Sequence, residues 1–476
     1  MSGHDRLTRG LGAAATATGS LLVGVALAVV GARFGPLAML ALPVAVGALL
    51  LAYSRPLAAA GLVLATLPVG LQPVPGNPLG LQVVQVTVLG VTAMVVLRRL
   101  ALGVSPLRTS RPLWWAVAFV AWALVCTGSA ASTAVAIKQD ANLVAAVVLA
   151  MLVVTVAEDL RGVRLLAWTF LAAGTVMTLP PLRDAGSISS AYGGAVVENR
   201  LQGTFAQPNE LGAFAMLVVL VGIGVVLGAR SRRERTLAWC ALLPALAALA
   251  LSLSRGAWIG TTLGGVALLV MLPSARRMLL TVGVPVVLCA AALGAFAPES
   301  PQVQVVGDRV ATLRDPGGNP YDDRPRIWAE GRREVRDDPL TGQGPGAFPL
   351  VSTRSVSGAQ TVQAEHSHSL LLTVAAETGL PGAALVVALA IALAFHVRDA
   401  LRVLDAADAA VLAGAFGAVV AVAGQGLIDF TQRNAVLLMS DWALVGVVAA
   451  GAAAARRAQV RASSRILAGP VGAKGP

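Results

Sequence analysis

Apolar residues run through this chain in blocks rather than at a helical or strand period, and each block is close to the length that a lipid bilayer demands. A hydrocarbon core about 30 Å thick needs about 20 apolar residues per helix. Blocks centred near residues 22, 44, 64, 90, 121, 149, 172, 219, 245, 264, 287, 387, 418 and 445 satisfy that length, which gives fourteen candidate spans, with twelve or thirteen also compatible. The pattern predicts an all-α polytopic membrane protein with 12–14 transmembrane helices. One polar, Gly/Pro-punctuated insert separates residues 1–297, an N-terminal set of spans, from residues 368–476, a C-terminal set with a short tail. The insert, residues 298–367, is too short for an independent core of any size and predicts a cap over the membrane helices.

Within the insert, Asp322 to Asp338 is polar and Arg-rich with Trp328 and Val335 on one side, the pattern of a short interfacial helix. Pro339 ends it. Gly342, Gly344 and Gly346 follow in TGQGPG, where the backbone is free to approach a ligand closely. Further on, Gly379, Pro381 and Gly382 predict a break or kink in the next apolar helix.

Composition agrees: 56% of the 476 residues are hydrophobic and 13% charged, with mean hydropathy +0.76. Such values lie outside the range of soluble domains. A net charge of +12 would suggest nucleic acid in a soluble protein. Here its first explanation is membrane topology, because cytoplasmic loops collect Lys and Arg, so no nucleic-acid partner is expected. Alternate connecting segments do carry most of the basic residues, among them Arg98, Arg161, Arg230, Arg398 and Arg456. Both termini are therefore expected on the cytoplasmic side of the cell membrane. Four polar stretches then share the extracytoplasmic side: residues 182–209, the turn 252–256, the insert, and the turn 429–434. Cys126, Cys240 and Cys289 sit in apolar runs and support neither a disulfide framework nor a metal site.

Each candidate for chemistry has a bland reading beside it. Arg200 is either a headgroup anchor or a ligand for an anion, and Asn209 either a helix cap or a polar contact. Arg255 lies in a turn too short to carry it far from the bilayer, on the side that disfavours positive charge, and so calls for an anionic partner such as a diphosphate. Arg324 and Arg326 either join it or point into water. His366 and His368 have no third ligand spaced to make a metal site; an acid/base role competes with a structural one at the start of the next helix. Glu377 falls two and a half helical turns beyond His368 and is suited to anchoring a loop. Asp429 either pairs with Arg433 or serves as a reserve base.

In order along the chain, R-x-x-G-x-F-x-x-P-N at Arg200 to Asn209, S-R-G-A at Ser254 to Ala257, R-x-x-x-W with P-L-x-G-x-G-x-G-x-F at Arg324 to Phe348, and H-S-x-x-L-x-x-x-x-E-x-G at His368 to Gly379 resemble the O-antigen ligase and O-antigen polymerase superfamily. Ser369 stands where that family usually has Asn. The resemblance implies a membrane glycosyltransferase that moves a glycan from a polyprenyl diphosphate carrier to a hydroxyl on a glycan, lipid or protein acceptor. It implies no cofactor, no catalytic metal and inversion at the anomeric carbon. By position, Arg200, Arg255 and Arg324 would hold the diphosphate and His368 would be the base or would position the acceptor; Arg326, Asn209, His366, Glu377 and Gly344 complete the expected site. A polytopic transporter or lipid-linked glycan flippase is the alternative, and it predicts related halves with polar residues at mid-membrane.

Overall fold

The computed structural model describes residues 46–67, 79–184, 189–192, 195–198, 200–278, 307, 324–352, 355–357, 360–362, 364 and 366–467. The expected spans near residues 22 and 287, and the polar segment 308–323, lie outside these, and of the span near residue 44 only the part from residue 46 is described, as helix to residue 54. The remaining eleven expected spans all fall in helices: α1 (Pro56–Ala65), α2 (Val83–Ala101), α3 (Leu113–Cys126), α4 (Thr133–Val156), α5 (Leu160–Thr178), α6 (Pro208–Leu227), α7 (Arg232–Leu251), α8 (Arg255–Met271), and then, beyond the insert, α10 (Leu370–Leu401), α11 (Ala406–Gln425) and α12 (Ala435–Leu467). Among the described residues, eight helices are long and apolar enough to cross a membrane, and α1, α3 and α8 are shorter apolar helices. The protein is an all-α, multi-pass membrane protein. Two small antiparallel hairpins add to it, pairing Ser189–Tyr192 with Ala195–Glu198 and Ser355–Ser357 with Gln360–Val362.

The helices pack through small residues, as a chain poor in aromatics must. Helices α6 and α12 are buried along most of their length, while α10 turns much of its surface outward. Where α6 crosses α11, a Cβ on Gly414 would come within 2.6 Å of the Gly224 Cα, so both positions require glycine for the backbones to meet. Gly414→Val is accordingly expected to cost about 1–3 kcal/mol by overpacking, measured as a lowered unfolding temperature in detergent. The half-buried Gly265 has open space at its Cβ position, and Gly265→Ala serves as the neutral comparison.

The insert folds back as a cap. Its helix α9 (Arg324–Asp337) buries Ile327, Gly331 and Glu334, spaced four and three residues apart on one face. Gly331 lets that face close onto Leu372 of α10, while Ile327 packs with Phe348 and Ala376. After the helix, the Leu340 carbonyl reaches the break in α10, where Gly379 adopts φ 70° and a Cβ would sit 1.9 Å from that oxygen. The Leu380 N–H donates to the Pro339 carbonyl across the same break (2.9 Å). Irregular backbone inside a membrane helix is tolerated when protein covers it, and here the cap does so.

Candidate functional site

At one end of the bundle four loops converge: the entry to α6, the turn between α7 and α8, the cap with the entry to α10, and the turn between α11 and α12. The middle of the site is Asp429, buried in the last of these. Its Oδ1 accepts from the Phe430 N–H at 2.9 Å and lies 3.2 Å from His368 Nδ1; its Oδ2 accepts from Asn209 Nδ2 at 3.1 Å. Asn209 in turn accepts from Arg200 Nη2 at 2.7 Å, and Arg200 Nε donates to the Ser252 carbonyl at 3.0 Å. A continuous polar chain therefore runs from Arg200 through Asn209 and Asp429 to His368. The capping reading of Asn209 is set aside, because Gln207 holds the N-cap position of α6 and the Asn209 side chain is used in this chain.

Two histidines stand at the entry to α10. His368 has φ 50°, a strained value for a residue other than glycine, and Leu253 in the α7–α8 turn shares it. Among the described residues these are the two non-glycine residues with positive φ, and both lie in loops of this site. Strain of that kind persists only where surrounding contacts over-determine the backbone. Here they do: the His368 N–H donates to His366 Nδ1 (3.2 Å) and the Leu370 N–H to the Gly426 carbonyl (2.7 Å). His366 also lies edge-on to His368 and to Phe430.

Arg255 opens α8 behind the cap residue Ser254, whose hydroxyl accepts from the Ala257 N–H. The next residue, Gly256, sits against Asp429, with its Cβ position 3.7 Å from the Asp429 Cβ, so the start of α8 packs on the turn that holds Asp429. Arg324 opens α9 close enough to act electrostatically on both Asp429 and His366. Arg326, two residues on, is exposed. Gly344 and Glu377 belong to the frame of the site. A Cβ on Gly344, at φ 99°, would lie 2.2 Å from the Ala130 side chain, and the Glu377 carboxylate accepts from the backbone N–H groups of Gly346 and Phe348. Gly344 thus makes its close approach to the α3–α4 connection, within the protein. Beneath Leu370 and Phe430, a mostly apolar cavity of about 180 Å³ extends between α3, α4, α10, α11 and α12.

The electrostatics favour one charge state. Burial alone would raise the Asp429 pKa, but the hydrogen bond and charge of His368, followed by Arg324, outweigh it and hold the carboxyl at about 2. Burial, then the neighbouring His368, pushes His366 down to about 3, so it is a neutral imidazole at physiological pH, consistent with its Nδ1 acting as an acceptor. A histidine whose folded pKa is depressed favours folding above its unfolded value of about 6.5 and loses that contribution as pH falls towards its folded value. Stability should therefore decline from about pH 6.5 downward, and His366→Gln should flatten the decline; thermal unfolding across pH 4–8 measures it.

An ionised Asp429 at Nδ1 selects the His368 tautomer that carries its proton there, leaving Nε2 able to take one. Asp429 is the residue of this polar chain that the sequence marked least. Sixty-one residues separate it from His368, and the nearest charge in sequence, Arg433, drew the pairing instead.

These features define a multi-pass membrane protein with a buried Asp–His pair and flanking arginines at one end of its helices. Residues 240–387 match the family model of the O-antigen ligase, which supports the resemblance to the O-antigen ligase and polymerase superfamily over that stretch. That family is of the glycosyltransferase type, working in a membrane with a lipid-linked glycan donor and a glycan acceptor. The matched stretch contains Arg255, Arg324 and His368, whereas Arg200, Asn209 and Asp429 fall outside it. No curated protein matches the chain. Among solved structures, one described as "Structural coordination of polymerization and crosslinking by a peptidoglycan synthase complex" matches with 19% identity, covering 72% of this chain and 97% of that one, at a TM-score of 0.41. A likeness of that degree carries nothing further.

Proposed function

We propose that this protein transfers a glycan from a polyprenyl diphosphate carrier to an acceptor hydroxyl, and that His368 is the base. The observation that carries the reading is the 3.2 Å contact of His368 Nδ1 with Asp429 Oδ1, at a point where loops bearing Arg255 and Arg324 also meet. The acceptor oxygen attacks the anomeric carbon, its proton passes to His368 Nε2, and the carbon–oxygen bond to the diphosphate breaks with the electron pair leaving on phosphate. Charge grows on the diphosphate as that bond opens, and preorganised guanidinium groups stabilise it. Arg255 and Arg324 take that role. Two nitrogens of Arg200 are already engaged by Ser252 and Asn209, so Arg200 acts by orienting Asn209 and, through it, Asp429. Attack opposite the leaving group inverts the anomeric centre, and no step requires a metal. The apolar cavity under Phe430 suits a lipid chain.

The arginine-rich connections, including Arg161, Arg164, Arg230 and Arg457, gather at the far end of the helices, which by the positive-inside rule is cytoplasmic. The transfer site then faces the extracytoplasmic side. The test incubates purified protein with a polyprenyl diphosphate glycan and candidate acceptors, comparing wild type with His368→Ala. Glycosylated acceptor from wild type and its loss from the variant support the reading. Equal transfer by both sinks the role of His368, and movement of the lipid-linked glycan across a vesicle membrane without transfer favours a flippase.

A further inference from the structure

A second charged cavity, of about 260 Å³, lies at the opposite end of the bundle from His368. The start of α5, the α6–α7 connection, the first turn of α11 and the C-terminal part of α12 enclose it. Residues 435 and 461 of α12 mark the two ends: 27 residues at about 1.5 Å rise separate them by roughly 40 Å, so this cavity shares nothing with the Asp429 site.

Five arginines line it against three carboxylates, and the carboxylates are already used. Asp408 is buried and sits between Arg230 (3.1 Å) and Arg164 (3.6 Å). Asp159 caps α5 by accepting from the Gly162 N–H (2.8 Å). Glu158 turns to Arg108 at 3.0 Å and Arg99 at 3.8 Å. Arg161, Arg457 and Arg461 have no carboxylate within ion-pair distance among the described residues. Arg457 and Arg461 are one helical turn apart on α12, so their guanidinium groups share a face. Arg457 spends one nitrogen on the Glu158 backbone carbonyl (3.0 Å), while its buried Nε has no hydrogen-bond partner among the described residues. Guanidinium forks match phosphate oxygens in pairs. Leu165 and Val460, the neighbours in sequence of Arg164 and Arg461, are exposed apolar side chains at this end of the helices.

We propose that this cavity binds a phosphate-bearing anion, supplied by a phospholipid headgroup or free in solution, through Arg161, Arg457 and Arg461. Binding ties the last turns of α12 to the start of α5 and holds that end of the bundle together. The site is independent of the transfer chemistry.

Native mass spectrometry of the full-length protein in neutral detergent tests it, with phosphatidylglycerol, phosphatidylcholine and inorganic phosphate added in separate titrations. Wild type should retain phosphatidylglycerol more tightly than phosphatidylcholine. At about a fivefold loss of affinity per arginine removed, Arg461→Gln should bind phosphatidylglycerol about fivefold more weakly and Arg457→Gln with Arg461→Gln about 30-fold more weakly. Arg232→Gln, an exposed change outside the cavity, should bind as wild type does. Phosphatidylglycerol binding without phosphate binding assigns the site to a headgroup, and phosphate binding lost in the double variant assigns it to the free anion. Unchanged binding of both probes in Arg461→Gln, whose exposed position spares the fold, overturns the proposal, as does an equal loss in Arg232→Gln.

Discussion

Asp429→Asn should remove most glycan transfer while leaving the fold in place. The carboxylate accepts from Phe430, Asn209 and His368 together, and an amide of the same shape keeps the volume filled. It loses the charge that stabilises a protonated His368, and its NH2 group cannot accept from Nδ1–H. The imidazole is then driven towards the other tautomer, with Nε2 protonated and unable to act as base. General-base assistance contributes about 10²–10⁴ in rate, and a loss in that range is expected in kcat with a smaller change in KM. Initial-rate measurement of acceptor glycosylation gives both numbers, and the unfolding temperature of the variant separates chemistry from folding. A variant within about threefold of wild type would remove Asp429 from the base.

Arg255→Gln should produce the second large effect, by a different route. Removing one donor from a preorganised site for developing negative charge costs about 10²–10³ in kcat. The leaving diphosphate carries more charge in the transition state than in the bound donor, so the loss falls on kcat more than on KM. Arg324→Gln should behave alike. Arg326→Gln, exposed on α9, should cost far less. Single-turnover rates with saturating donor distinguish the two classes: a defect cured by more donor means that Arg255 binds the ground state, and a defect that persists means that it acts on the transition state.

The fold was legible in the sequence wherever length alone decides. A membrane helix needs a block of apolar residues whatever its partners, so α2, α4 and α10–α12 were visible before any packing was known. The break at Gly379 was visible too, because glycine beside proline limits the backbone locally. The pairing of helices was not. Gly224 and Gly414 are each unremarkable in sequence and matter only because the backbones of α6 and α11 meet there.

The site divides along the same line. Arg255 and Arg324 stood out because charge at a membrane boundary is costly for each residue by itself, and the histidines because imidazole can take a proton near neutral pH. Asn209 and Gly344 had local readings, a helix cap and a ligand-facing loop, and in both cases a contact from a distant loop takes the residue instead: Asp429 for Asn209, Ala130 for Gly344. Asp429 itself is a buried acid in a polar turn, and its partner comes from the entry to another helix. Only the three-dimensional path of the chain pairs it with His368 rather than with Arg433, four residues away. Glu377 was expected to steady a loop, and the structure places its carboxylate under the N–H groups of Gly346 and Phe348.

The account rests on His368 and Asp429 acting as one unit. A double-mutant cycle measures this most directly, comparing kcat/KM for glycan transfer in wild type, His368→Ala, Asp429→Asn and the double variant. Residues that act as a unit are far from additive. The double variant is therefore predicted to be no slower than His368→Ala alone. Losses that multiply, so that the double variant falls by the product of the two single effects, would show that the residues act separately and would contradict the account.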